Sequence, residues 1–316
     1  MRIPLALVGC GRWGKRLARA LSWHDAFSLV AVVDSDPVAR AWARESAPNS
    51  LGFSDIRALV RADVAGAAVV ATPTPSHADI AECLLEGGLD VLVEKPLARS
   101  AADAARLSEL CASSGRVGMV GHILRFAPST NELVRLCRSG ALGAIEEVTA
   151  VRATQSGGPD ALWTLGPHEL ATLQALDMSR IVSCAGELEG DAITARLSLA
   201  SGVKARFSWS TRAARPMRRT IVRGTLGSVT LDELDAGAPI RLVCSAHAAT
   251  SVLPLSASAA PPARTPLELE LDHFAASIGA RTRPVTDFAE GARVVGVLER
   301  IERSIVVPAP RVASHG

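Results

Sequence analysis

Of the 34 basic residues in the chain only three are lysines, Lys15, Lys95 and Lys204, and tyrosine is absent. Mechanisms that need a phenolic proton donor are therefore excluded, the Tyr–Lys pair of short-chain dehydrogenases among them. Each lysine becomes a candidate ammonium for stabilising charge on a reacting oxygen. Gly9-Cys10-Gly11-Arg12-Trp13-Gly14 follows the apolar run Ile3–Val8 and leads into a helical stretch at 15–21, and Asp34 ends the next apolar run, 29–33. A strand, a turn with glycines at these three places, a helix and a later acid together make a dinucleotide-binding fingerprint. Gly9 permits the tight turn, Gly11 lets the backbone approach a pyrophosphate, and Gly14 lets helix and strand pack closely. The free N–H groups at the helix start face the phosphates. Asp34 is placed to accept hydrogen bonds from the adenosine ribose hydroxyls. With Asp36 it would repel a 2′-phosphate, so NAD is expected over NADP.

Two further positions could carry proton and charge chemistry. Lys95 stands in Glu94-Lys95-Pro96, where the apolar run 91–93 ends. An ammonium there can stabilise an alkoxide-like oxygen and, if partly desolvated, share its proton. The plainer alternative is a surface lysine paired with Glu94. His168 follows Gly166-Pro167, which reads as a helix start with Pro167 in the first helical position and Leu170, Leu173 and Leu176 on the buried face. The positive helix end would keep His168 neutral and able to accept a hydroxyl proton. Its plainer alternative is a histidine hydrogen-bonded inside a domain interface. His24, His247, His273 and His315 show no partner pattern, and no cluster has metal-ligand spacing.

The elements that must position these residues alternate. Apolar runs at 67–71, 91–93 and 117–120 read as buried parallel strands, separated by helical stretches at 56–61, 78–86 and 101–113. Thr72, Pro73, His77, Glu94, Lys95, His122 and Arg125 fall where these strands end, the edge at which open α/β sheets bind ligands. A length of 316 residues allows about two domains of ~100–200 residues. Later, 193–199 and 203–209 alternate apolar and polar residues about Ser201-Gly202, a hairpin with one buried face that includes Phe207 and Trp209. The stretch 204–223 is basic without an acid; a solvated sheet face is preferred over a site for an anionic substrate. Pro254 to Pro266 reads as a low-complexity surface loop. A net charge of +2 gives no reason to expect nucleic acid. Six scattered cysteines argue against a zinc site or disulfide framework and for a reducing compartment. The first apolar run is too short for a signal peptide or a membrane span, so a cytoplasmic location without membrane association is expected.

The motifs GCGRWG (9–14), ATPTPSH (71–77), VLVEKPLA (91–98), GHILRFAP (121–128), LGPHE (165–169) and TDFAEGARVVGVLERIERS (286–304) occur in an order and spacing that resembles the Gfo/Idh/MocA family of NAD(P)-dependent oxidoreductases. The resemblance implies an α/β fold, with a doubly wound Rossmann domain at 1–121 and an α+β domain at 122–316. The second domain would bind substrate and carry a large open, mostly antiparallel sheet that packs on another subunit, giving a homodimer or homotetramer. The helix at 287–305 would dock back on the first domain. Carried over by position, Cys10, Arg12, Trp13, Thr72, Pro73, His77, Glu94 and His122 would line the cofactor with the glycines and Asp34. Lys95 would lie beside the nicotinamide and the reacting carbinol, His168 would relay the proton, and Arg125 and Thr164 would meet the substrate. Many members carry Asp four residues before this histidine and another three after it, where this chain has Thr164 and Ala171. Asp160 is an upstream carboxylate that could substitute, and Glu169 is a conservative stand-in for the usual Asp. The implied activity is hydride transfer between nicotinamide and a secondary alcohol or ketone of a sugar, nucleotide sugar or polyol. The alternatives are a non-catalytic NAD-binding regulator of the same fold, or a reductase of an imine or unsaturated carbonyl.

Overall fold

The computed structural model describes residues 2–158, 160–235, 239–244, 249–253 and 264–305. The expected loop at 254–266 therefore falls, as far as residue 263, outside the described residues. The chain forms two compact units, Met1–Asn131 with Ser258–Gly296, and Glu132–Ala257 with Val297–Gly316.

In the first unit, strands β1 (Ile3–Val8), β2 (Phe27–Val33), β3 (Leu51–Phe53), β4 (Ala67–Val70), β5 (Asp90–Glu94) and β6 (Gly118–Gly121) alternate with helices α1 (Arg12–Ser22), α2 (Pro37–Ser46), α3 (Ile56–Ala62), α4 (His77–Glu86) and α5 (Ala101–Ser114). Among the described residues they give one six-stranded sheet in the order β3-β2-β1-β4-β5-β6. Every neighbouring pair in it is parallel. Helices cover both faces of such a sheet, which is why β4, β5 and β6 are buried residue after residue. Strand order reverses between β1 and β4, and that reversal opens a crevice at the C-terminal strand ends.

The unit does not stop where the sequence placed its boundary, after residue 121. The short 3₁₀ turn Ile123–Phe126 stays with it, Phe126 being buried against the ring of His273 at 5.4 Å. After α6 (Pro128–Arg138) the chain builds the second unit. It then returns as α8 (Pro266–Ala280) and α9 (Phe288–Ser304). The approach to α9 is sewn to β6: the Val120 amide donates to the Thr286 carbonyl at 2.7 Å, and the Thr286 hydroxyl to the Val120 carbonyl at 2.9 Å. The helix expected at 287–305 is thus present, its residues up to Gly296 belonging to the first unit and those from Val297 to the second.

The second unit is an eight-stranded sheet, ordered β14-β13-β12-β11-β7-β10-β9-β8 among the described residues. Its strands are β7 (Ile145–Ala153), β8 (Ile181–Glu189), β9 (Ala192–Leu199), β10 (Lys204–Ser210), β11 (Met217–Gly224), β12 (Gly227–Asp232), β13 (Ile240–Cys244) and β14 (Ala249–Leu253), with α7 (Ala161–Leu176) between β7 and β8. All neighbours are antiparallel except β7 and β10. The expected hairpin is β9–β10, with Ala195 opposite Phe207 and Ile193 opposite Trp209. Phe207 and Trp209 are fully buried. The basic stretch lies on sheet and turn, and acids on neighbouring strands answer it: Arg219 meets Asp232 at 2.8 Å and Arg223 meets Glu147 at 2.6 Å. No helix among the described residues is long and apolar enough to cross a membrane.

One local expectation fails. The helix carrying His168 does not begin at Pro167; it begins at Ala161, capped by Asp160, whose carboxylate accepts the Trp163 amide at 3.1 Å. Pro167 sits inside the helix, where it has no N–H to give to the helical ladder. His168 is therefore two turns from the positive end. Helix-dipole effects fade within the first turn, so that argument for a neutral imidazole does not apply.

Candidate active site

The glycine turn of the first unit is fixed by close backbone approach. Gly9 has φ +93°, and a Cβ there would come within 2.7 Å of the Ala71 carbonyl carbon. A Cβ on Gly14 would run into the Gly9 carbonyl, so α1 can start only if both are glycine. Gly11 is different: a Cβ at Gly11 would meet nothing within 4 Å, and no side chain caps the amides of α1 behind it. Open space in front of uncapped helix N–H groups fits a pyrophosphate. Asp34 closes the far side. Its carboxylate accepts the Cys10 amide at 2.7 Å and the Asp36 amide at 3.0 Å, so it is held where β2 ends. Gly9, Gly11, Asp34, Thr72 and Pro73 line one groove of about 400 Å3, a size and position suited to the adenosine half of a dinucleotide. Asp36 faces away to cap α2 through the Val38 amide at 2.9 Å.

Some residues expected at this edge support it without facing it. Cys10 is fully buried, and burial pushes its thiol up to about 11, so only its backbone can serve a ligand. His77 is 1% exposed and both ring nitrogens lie 2.8 Å from backbone carbonyls, those of Thr72 and Pro96. It joins the end of β4 to the Lys95-Pro96 segment as a strut, rather than lining the groove. Trp13, expected to line the cofactor, donates its indole N–H to Glu94. Lys95 follows at the end of β5, its backbone amide on Glu94 at 3.3 Å and its side chain half-buried.

At the end of β6, His122 is 1% exposed, with its Nε2 3.8 Å from a Glu290 carboxylate oxygen. Burial, aided by the positive charges of Arg125 and Lys95, drives this imidazole down to about 3, so it is neutral at any working pH. Arg125 donates to the other Glu290 oxygen at 3.1 Å. Burial holds the Glu290 carboxyl up at about 7, against the pull of Arg125 and Arg293. Sequence reading passed over Glu290, because its partners lie far away in the chain.

In the second unit α7 is buried almost all round. From Ala161 to Leu173 only Thr164 and His168 are not buried. Four residues apart, they share one helix face. Glu169, next in the chain, points the other way into a buried ionic network. It receives Arg152 Nε at 2.5 Å and the Trp209 indole N–H at 2.7 Å, and the remaining Arg152 nitrogens grip Glu233 at 2.5 and 3.2 Å. Glu169 is thus committed to holding α7 against β7 and β10, and is no substitute for an acid beside His168. Asp160 is engaged as the helix cap. Ala171 is 1% exposed, packed where the expected acid would stand.

Residues 3–122 match the family model described as "Oxidoreductase family, NAD-binding Rossmann fold" (GFO_IDH_MocA). Over these residues the chain resembles the NAD-binding domain of the Gfo/Idh/MocA oxidoreductases. Among its relatives, the 2,7-anhydro-N-acetylneuraminate hydratase of Escherichia coli is 25% identical over 76% of this chain and 70% of its own. The inositol 2-dehydrogenase of Rhizobium meliloti is 28% identical over 73% of this chain and 76% of its own. Two solved structures share the fold along nearly the whole length. An oxidoreductase from Agrobacterium radiobacter in complex with NAD+, L-tartaric acid and magnesium has TM-score 0.84 at 17% identity, covering 96% of both chains. The 3-ketoreductase KijD10 from Actinomadura kijaniata, with TDP-benzene and NADP, has TM-score 0.82 at 19% identity, covering 96% of this chain and 98% of that one. The match covers the first unit's NAD-binding Rossmann fold; of the two solved structures, one holds NAD+ and the other NADP.

Proposed function

We propose that this protein transfers a hydride between NAD and a secondary alcohol or ketone of a sugar, nucleotide sugar or polyol. The observation that carries the reading is the convergence of the open face at Gly11, the carboxylate of Asp34 and the side chain of Lys95 on one C-terminal sheet edge. Asp34 supports NAD over NADP: its two backbone hydrogen bonds keep a carboxylate where a 2′-phosphate would have to lie. When bound, the nicotinamide supplies the hydride acceptor.

The chain's own residues handle the oxygen and its proton. The Lys95 ammonium lowers the energy of negative charge growing on the substrate oxygen as hydride leaves carbon. His168 accepts the hydroxyl proton, with Thr164 one turn before it as a hydrogen-bonding neighbour for the substrate. His122, at the end of β6, feels the charge of Lys95, and His122 and Arg125 both meet Glu290. In the reducing direction the Lys95 ammonium stabilises the negative charge that forms on the carbonyl oxygen as hydride arrives, and the protonated His168 gives that oxygen its proton. We place this chemistry in the cytoplasm, in keeping with the free thiols of Cys10, Cys83, Cys111, Cys137 and Cys184. We also propose self-association through the uncovered face of the eight-stranded sheet, where Val151, Met217 and Val243 are 36%, 43% and 37% exposed.

The test is reduced-nicotinamide absorbance against a panel of sugars, nucleotide sugars and polyols. Turnover with NAD is expected on a polyhydroxylated substrate. Buried Ala171 favours one competing reading, a regulator that keeps cofactor but lacks catalysis; tight NADH binding with no turnover across the panel would select it.

A further inference from the structure

Glu290, in the first turn of α9, is held against the end of β6 by backbone fit. A Cβ on its neighbour Gly291 would come within 2.6 Å of a Val120 methyl and 3.2 Å of Leu97, so glycine lets the helix sit this close. The Glu290 amide donates to the Asp287 carboxylate at 2.7 Å. One Glu290 carboxyl oxygen accepts from Arg125 at 3.1 Å. The other has no hydrogen-bond partner among the described residues and lies 3.8 Å from His122 Nε2. Neither His122 nitrogen has a partner there either, and both side chains are buried.

Buried polar atoms without partners are costly, and here they stand together. A neutral imidazole offers one N–H and one lone pair. A side-chain rotation that closes the gap joins the pair in either protonation state. Against a carboxylate, His122 Nε2–H donates and Nδ1 keeps the lone pair. Against a carboxylic acid, the acid O–H donates to Nε2 and the ring proton sits on Nδ1.

We propose that Glu290 and His122 form a hydrogen-bonded pair that takes up or releases one proton, and that with Arg125 it sets the charge beside the nicotinamide end of the site. This rests on the cofactor reading above and adds to it a preference between the two redox forms of the cofactor. Glu94 and Gly121 are register partners on β5 and β6, so Lys95 and His122 follow them at the same sheet edge. With Glu290 ionised, its charge and that of Arg125 cancel; with Glu290 protonated, the cluster carries one positive charge. The nicotinamide ring is a cation in NAD+ and neutral in NADH, so the protonated cluster opposes NAD+ alone.

Burial holds the Glu290 carboxyl up at about 7, against Arg125 and Arg293 and with a push from Asp287, which is itself paired with Arg283 at 2.6 Å. Across the strand pair, burial raises Glu94 also to about 7, and its oxygens accept the Trp13 indole N–H and the Lys95 amide. On α8, burial and the Glu94 charge hold the Glu270 carboxyl well above the ordinary range, and His273 Nε2 accepts the Val285 amide at 3.0 Å. Glu94 is therefore the competing source of any change near neutral pH.

Imidazole nitrogen-15 NMR of the full chain without cofactor, from about pH 5.5 to 8.5, tests the pair, with His122→Asn assigning the signals. In wild type the ring proton of His122 is expected to move from Nε2 to Nδ1 as pH falls through about 7. Glu290→Gln keeps Arg125 on its carbonyl oxygen and aims its NH2 at His122, which fixes Nδ1–H at every pH. Binding titrations of the same proteins read the charge. Wild-type affinity for NAD+ should rise several-fold with a midpoint near pH 7 while NADH affinity stays flat. Glu290→Gln should hold NAD+ at the low-pH value throughout, its NADH affinity near wild type showing that it is folded. Glu94→Gln should keep both the tautomer change and the NAD+ transition. A His122 tautomer that ignores pH in wild type, or a change that survives Glu290→Gln or vanishes in Glu94→Gln, overturns the pair and leaves the cofactor reading standing. A tautomer change with NAD+ and NADH responding alike overturns the charge role. If neither cofactor form binds wild type at any pH, the cofactor reading falls and the charge role with it, while the NMR still decides the pair.

Discussion

The glycine turn and helix α7, the two places where the proposed function puts ligand-facing groups, are built by opposite means. At the turn the backbone does the work: Gly9 and Gly14 are required by van der Waals contact, and the ligand-facing groups are amides and one well-held carboxylate. On α7 the backbone is an ordinary helix, and side chains from distant strands decide where His168 points. Arg152, Glu169, Trp209 and Glu233 lock the inner face, leaving Thr164 and His168 outside. Functional substitutions at the turn should therefore change affinity with little change in stability, whereas those on α7 should divide sharply between the outer and inner faces.

The largest effect is expected on the outer face. His168→Ala should lower kcat by about 10³-fold, in the range for loss of a positioned general base. Its melting temperature and NADH affinity should stay near wild type. A loss of stability in place of activity would make His168 a packing residue and break the contrast. One residue further, Glu169→Ala should do the reverse. It strands the Arg152 guanidinium with Glu233 alone and takes the partner from the Trp209 indole, costing about 3 kcal/mol in urea unfolding. A cost below about 1 kcal/mol would put the inner network among solvated pairs.

At the turn, Asp34→Asn keeps an acceptor for the Cys10 amide but not for the Asp36 amide, and removes the charge, so folding should weaken by only about 1 kcal/mol. The ratio of NAD to NADP affinity should fall by about tenfold, or ~1.4 kcal/mol, read by parallel binding titrations. The smallest effect belongs to the sheet. Arg219→Ala breaks an ion pair whose arginine is 49% exposed, and unfolding should change by only about 0.5 kcal/mol.

The same contrast explains what could be read before the fold was known. Gly9, Gly11, Gly14 and Asp34 are legible because the constraint is local: a turn, a helix start and the end of the next strand. The hairpin β9–β10 was legible for the same reason, since period-two alternation on either side of Ser201-Gly202 needs no distant partner. The start of α7 was not. A helix buried nearly all round shows no amphipathic period, so Gly166-Pro167 was the strongest visible signal and Asp160 the true one. The partners of Glu169, Arg152 and Trp209, are not visible in the sequence, because only the sheet register brings them together. Glu270 and Glu290 went unread because both return to the first unit after a whole domain has intervened. His77 had the right address and the wrong role: strand-end placement says that a residue is near the crevice, not which way its ring faces.

The account stands or falls on Lys95. The decisive measurement is Lys95→Ala assayed twice, by NADH fluorescence titration and by turnover on whichever polyhydroxylated substrate the wild type accepts. The account predicts NADH affinity within about twofold of wild type and kcat reduced by about 10³-fold, the scale expected when a preorganised charge is removed from a developing oxyanion. Turnover that survives the substitution at the wild-type rate would contradict it.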